Sequence, residues 1–157
     1  MLIKVLSFDV SSVSTGWAVV TKNKPKYYGV ITIDKKLSIS QKLNAFRCAV
    51  ISLLCKHAPT HVVVEETYMK NVKTLKTLMQ FISVINEASF NTIGKEPVLI
   101  FPNTVRSYFK LKNKKEMFEY INKRFKFNMD FKKDNDVTDA LGQGLYYFEL
   151  LEENNNE

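Results

Sequence analysis

The chain has 157 residues, enough for one domain that buries roughly two-thirds of its unfolded surface, and its 45% apolar and 12% aromatic residues exclude a disordered chain. Lys and Arg total 23 against 16 Asp and Glu, a net charge of +7; with Glu149, Glu152, Glu153 and Glu157 all at the C-terminal end, residues 1–148 carry 23 basic against 12 acidic groups, or +11. A body that basic faces a polyanion, whereas no apolar run approaches the roughly 18 residues of a membrane span and Lys4 and Asp9 interrupt the N-terminal apolar stretch, so a soluble cytoplasmic protein is expected.

Residues 2–9, LIKVLSFD, put Ile3, Val5 and Ser7 on one face and Leu2, Leu6 and Phe8 on the other, the two-sided pattern of a central strand ending on Asp9. Residues 16–20 and 27–33 are β-prone around a turn at 22–26, which predicts a three-stranded antiparallel meander. Leu43, Phe46, Val50, Leu53 and Leu54 recur at helical spacing over 40–57, behind Ser38 or Ser40 as N-cap and ahead of Pro59 as a stop. Cys48 and Cys55 share a face of that helix about 10 Å apart along its axis, too far to bridge, and are expected to be buried and reduced. No CxxC pair occurs and no zinc site is expected.

HVVVEE at 61–66 reads as a buried strand ending in Glu65 and Glu66, only one of which alternation allows to face inward. Residues 69–93 form the longest predicted helix. Its apolar residues make two stripes, Val72, Leu75, Met79, Ile82 and Leu78, Phe81, Ile85, Ala88, so it is either central or packed on a second subunit. Gly94 suits its C-cap, PVLIF at 97–101 gives a fifth strand, a basic segment of low apolar content fills 110–133, and a last helix runs over 134–152. Residues 1–152 are expected to form a single domain, with 153–157 a frayed acidic tail.

Four acids stand out. An Asp in the place of Asp9 often only starts a turn, but Glu65 ends a run of three valines, where an unpaired buried carboxylate is costly and calls for a charge partner or a metal. Asp136 and Asp139, i and i+3 in DNDVTDALGQGLYYF, share one helix face at a predicted helix start, where the dipole tolerates negative charge. Ala140, Gly142 and Gly144 beside them are small and let something approach closely. Converging at one end of a sheet, the four would make an all-oxygen site for two Mg2+ ions, with Mn2+ as a substitute. Two such ions about 3.5–4 Å apart activate a water on one side of a phosphate and stabilise the leaving oxygen on the other. Lys70, Lys73 and Lys76, and later Arg106, Lys110, Lys112, Lys114 and Lys115, would offset the repulsion between phosphate and acids.

The strings LSFDVSSVSTGWAVV, VVVEETYM after one helix, and DVTDALG in the last helix resemble, in that order, the RuvC family of Holliday junction resolvases over nearly the whole chain. The resemblance implies an α/β ribonuclease H-like fold, a mixed five-stranded sheet flanked by helices, with Asp9, Glu65, Asp136 and Asp139 as catalytic metal ligands and Glu66 the outward neighbour. It implies a homodimer, joined through the helix over 69–93, that uses magnesium and no other cofactor to cut four-way and other branched DNA junctions by paired nicks. Tyr68 falls where the family has an aromatic facing the junction and would stack on an unpaired base; Lys70, Lys73, Lys76, Arg106, Lys112, Lys114 and Lys115 would contact DNA.

Two departures from the family stand out. Ser11 occupies a place usually held by Gly, and the basic residues are 20 Lys to 3 Arg, which leaves few bidentate guanine contacts and predicts loose sequence preference. The short, Lys- and Asn-rich chain resembles the phage-encoded branch, which acts in a host bacterial cytoplasm. Competing readings are a ribonuclease H-like nuclease acting on RNA and a catalytically silent junction-binding protein. A phosphate loop of the sugar-kinase and actin type would need two related domains, for which 157 residues are too few.

Overall fold

Alternation in the first third of the chain produces a meander. In the computed structural model, which describes residues 2–66 and 71–155, β1 (Lys4–Asp9) pairs antiparallel with β2 (Ser14–Thr21), and β2 with β3 (Lys24–Thr32). The helix α1 (Ile39–His57) then crosses over so that β4 (His61–Glu65) runs parallel to β1, and α2 (Val72–Ile93) does the same for β5 (Val98–Ile100) beside β4. The sheet order is β3-β2-β1-β4-β5, mixed and five-stranded as expected.

Local sequence explains the helix ends. Ser38 caps α1 in a reciprocal capping box with Gln41, and Gly94 closes α2 at φ 69. The segment over 110–133, read from its composition as basic and poor in apolar residues, follows a short helix α3 (Pro102–Tyr108) and contains a further helix, α4 (Lys114–Phe125), whose buried residues are only Met117 and Ile121. The last helix, α5 (Phe131–Asn155), begins three residues before the predicted start and continues to Asn155, through part of the tail expected to fray. Asp136 and Asp139 therefore lie more than a turn inside α5, and a helix-start dipole does not account for them.

The sheet buries both faces. Leu6, Phe8, Val62 and Val64 pack with α1 and α2 through Phe46, Val50, Phe81 and Ile85, while Val5, Val20 and Val63 pack with α4 and α5 through Met117, Leu141 and Leu145. Because α1 buries the stripe Phe46, Val50, Leu54 and His57, the opposite face is left to solvent; Cys48 and Cys55, expected to be buried, are exposed there. No helix among the described residues is long and apolar enough to cross a membrane.

Close approach, not turn geometry, explains three glycines. A Cβ on Gly16 would lie 2.2 Å from the Asp136 carbonyl oxygen, whereas one on Gly142 would meet the flexible end of Met117, its Sδ at 2.6 Å, and one on Gly144 the Ser7 hydroxyl and Val20. What the small residues near 140 admit is therefore the protein's own packing. Gly16→Ala should cost about 3 kcal/mol of stability because a backbone cannot step aside. Gly142→Ala, with a helix-propensity gain of about 1 kcal/mol to set against a side chain that can move, should stay within about 1 kcal/mol of wild type. Chemical denaturation of both variants checks the contrast.

Candidate active site

Parallel pairing of β1 and β4 brings their C-terminal ends side by side, and Phe8 pairs with Val64, so Asp9 and Glu65 occupy the next register position. Alternation puts Val5, Ser7 and Asp9, and likewise Val63 and Glu65, on the face covered by α5. The buried Ser7 hydroxyl donates to the Ala140 carbonyl at 2.6 Å and so pins α5 beside Asp139. One carboxylate oxygen from each of Asp9, Glu65 and Asp139 then lies within 4.8 Å of the others. Of the two adjacent glutamates, Glu65 faces inward, as alternation requires.

Asp136 stands one turn before Asp139 and joins this group through a lysine. Lys114 Nζ lies 2.9 Å from Asp136 Oδ1, 2.9 Å from Asp139 Oδ2 and 3.4 Å from Asp9 Oδ2. The expected convergence of four acids is thus a tight group of three with the fourth tied to its edge. Gln143 Nε2 donates to Glu65 Oε2 at 2.9 Å, and Arg106 lines the same small cleft as Glu65, Asp139 and Gln143.

The electrostatics are those of a site short of positive charge. Burial first, then the Asp139 charge, pushes the Glu65 carboxyl up to about 7, against the opposing pull of Lys114, Arg106 and the Gln143 hydrogen bond. Burial and the Glu65 charge hold Asp9 well above the usual carboxylate range despite Lys114, and burial raises Asp139. Lys114 is itself desolvated, but Asp9 and Asp139 more than reverse that and hold its ammonium above the ordinary lysine range. With all four carboxylates ionised, Lys114 and Arg106 would leave two negative charges uncompensated, a deficit that favours entry of a divalent cation. An all-oxygen donor set at this spacing suits a hard cation, so Asp9, Glu65 and Asp139 can hold a divalent metal.

The other residues singled out from the sequence fall in three places. Lys112 and Lys115 are exposed at the start of α4, either side of Lys114. Lys73 and Lys76 are exposed on α2 along a groove with Leu43, Val72, Leu75 and Met79, and neither is paired with an acid among the described residues. Tyr68 and Lys70 lie outside the described residues. Ser11 needs no glycine-like backbone: its hydroxyl accepts from the Val13 and Ser14 amides at 3.2 Å, its own amide donates to Thr15 Oγ1 at 3.1 Å, and it is not among the residues of positive φ. Sequence reasoning missed Gln143, whose spacing of four from Asp139 on one helix was the available signal, and it placed Lys114 on DNA without anticipating that it bridges three acids.

No family model matches the chain. It is 25% identical to the crossover junction endodeoxyribonuclease RuvC of Fusobacterium nucleatum, over 88% of this chain and 76% of that protein. Among solved structures, Thermus thermophilus RuvC in complex with a Holliday junction substrate superposes with a TM-score of 0.81 at 17% identity, covering 94% of this chain and 96% of that one. The yeast mitochondrial Holliday junction resolvase Ydc2 gives 0.64 at 16% identity, over 98% and 82%. With the acids in the expected order, on a mixed five-stranded sheet as expected, and with a RuvC among its sequence relatives, the chain is similar to the RuvC-type Holliday junction resolvases and shares their ribonuclease H-like fold.

Proposed function

We propose that the protein is a divalent-metal-dependent, structure-selective endodeoxyribonuclease that resolves four-way DNA junctions, and other branched DNA, by paired nicks. The observation that carries this is the group of three carboxylates, two at the ends of parallel strands and one on α5, in a protein of net charge +7 similar to proteins named as junction resolvases. Asp9, Glu65 and Asp139 would hold the metal, with Asp136 adding a further carboxylate. Two Mg2+, or Mn2+ in their place, supply an activated water and charge stabilisation of the scissile phosphate when bound.

The chain's own residues do the rest. Lys114 and Arg106 border the acids and would hold non-bridging phosphate oxygens, while Lys112 and Lys115 carry the positive surface outward along α4. Tyr68 and Lys70, between β4 and α2, would stack on a base and contact backbone, and Lys73 and Lys76 would extend that contact. A homodimer would use α2, where Val72 and Met79 are exposed beside Leu43 and Leu75, and a two-fold axis would present two sites to two strands. The protein would act in the cytoplasm, that of the host bacterium if it is phage-encoded.

The test is incubation of the purified chain with a labelled four-way junction, a linear duplex and an RNA–DNA hybrid, each with magnesium and with chelator. Magnesium-dependent paired nicks confined to the junction, similar across crossovers of different sequence, are expected. Binding without cleavage would make it a silent junction binder, preference for the hybrid an RNA nuclease, and strict dependence on one short sequence would contradict the loose readout.

A further inference from the structure

Gln143 is a buried polar side chain that the proposed chemistry leaves unused. It is 2% exposed and lies four residues beyond Asp139 on α5, so the two side chains share a helix face. Its Nε2 donates to Glu65 Oε2 at 2.9 Å. Its Oε1 is buried with no hydrogen-bond partner among the described residues. It also lines, with Glu65, Asp139 and Arg106, a cavity of about 10 Å³, the size that takes a single water.

An amide is an expensive way to fill this position. Leu or Met would occupy the same space between α5 and the sheet without desolvating two polar ends, one of them unpaired. What the amide does that an apolar side chain cannot is hold one oxygen of Glu65. What it does that Lys or Arg cannot is hold it without adding a positive charge, which would compete with a cation for the three carboxylates.

We infer that Gln143 is a positioning residue of the metal site: its N–H fixes the Glu65 carboxylate so that the remaining oxygen is presented to a cation shared with Asp9 and Asp139. The inference rests on the metal-dependent reading above. α5 then sets two of the three ligands, Asp139 directly and Glu65 through Gln143, which locks the ligand from β4 to the helix that carries its partner. Outer partners of this kind are worth about 10–100-fold in metal affinity or activity.

The test is Mn2+ binding, followed by electron paramagnetic resonance on the full chain without DNA, for wild type, Gln143→Met, Glu65→Gln and the double variant. Gln143→Met should weaken Mn2+ binding about 10–100-fold while its melting temperature in chelator stays close to wild type, since relief of the unpaired amide oxygen offsets the donor that Glu65 loses. In the Glu65→Gln background the same change should weaken binding no further, because the residue acts through Glu65. Gln143→Leu provides a second apolar replacement if the methionine variant folds poorly. Wild-type Mn2+ affinity in Gln143→Met, or an equal loss with and without Glu65, overturns the inference while leaving the nuclease reading intact. A wild-type chain that binds no Mn2+ overturns the metal-dependent reading itself, and the inference with it.

Discussion

Asp9→Asn should lower metal-dependent cleavage of a four-way junction by at least about 10³-fold, roughly 4 kcal/mol of barrier, and in the same protein raise the melting temperature measured in chelator. The two effects have one cause. Asp9 is 9% exposed, faces the Glu65, Asp139 and Asp136 charges, and has only Lys114, at 3.4 Å, in opposition. Its charge is the one most central to a cation and the one most costly without it. Asparagine keeps the shape and removes the charge, so the metal-free variant should gain about 1–2 kcal/mol, the usual scale of relief at a site built for function. An active Asp9→Asn enzyme would dismiss the proposed ligand set, and an unchanged or lower melting temperature would dismiss the account of crowded acids.

Wild-type protein offers the same test through pH. Glu65 titrates at about 7 in the folded chain against 4.5 as an unperturbed side chain, so between those values the native state binds more protons than the unfolded one. Stability is therefore gained as pH falls through 7, is fully present below about 4.5, and is lost as pH rises; the whole span is on the order of 3 kcal/mol for this group. Bound magnesium would keep the carboxylates charged and flatten the trend. Thermal melts from pH 8 to pH 5.5, with chelator and with magnesium, read both slopes.

What the sequence made legible was what local physics decides. Alternation in LSFD and HVVVE put Asp9 and Glu65 at strand ends and left room for only one of Glu65 and Glu66 to face inward; the choice of Glu65 came with the family resemblance. The meander was legible too, whereas the placement of β4 beside β1 and β5 beside β4 is set by long-range pairing that local pattern does not encode. Helix α4 escaped because its buried stripe is only Met117 and Ile121, too thin to show as periodicity against six charged residues, although Asn113, which accepts from the Glu116 amide, was a readable N-cap. The start of α5 escaped for a related reason: Asp130 caps it, with its carboxylate accepting from the Lys133 amide, ahead of the apolar residues that define the pattern. Which lysine would reach the acids was not readable at all. Lys114 is 105 residues from Asp9 and 22 from Asp136, and it reaches them only through the tertiary packing of α4 on α5, in which Met117 and Ile121 share a core with Ala140, Leu141 and Leu145.

That lysine provides the second large effect. Lys114→Met should destabilise the metal-free protein by about 1–3 kcal/mol and at the same time strengthen divalent-ion binding in the absence of DNA by about tenfold. Removing the ammonium strands Asp9, Asp136 and Asp139 without their shared counterion, a loss that reaches about 3–5 kcal/mol for fully buried pairs but is reduced here because the Lys114 side chain is 36% exposed. The metal gain follows because a cation entering between Asp9 and Asp139 must otherwise draw those carboxylates away from a lysine 2.9 Å from one and 3.4 Å from the other. Coupling of this kind is reciprocal: if a DNA phosphate takes up Lys114, the acids are released to metal, and metal in turn favours DNA. The wild-type protein should thus bind Mn2+ more tightly with junction DNA than without it, and the Lys114→Met variant should lose most of that difference along with cleavage. Calorimetric Mn2+ titrations of both proteins, with and without a junction, measure it. Equal metal affinity in the two proteins without DNA would show that Lys114 does not compete for the site.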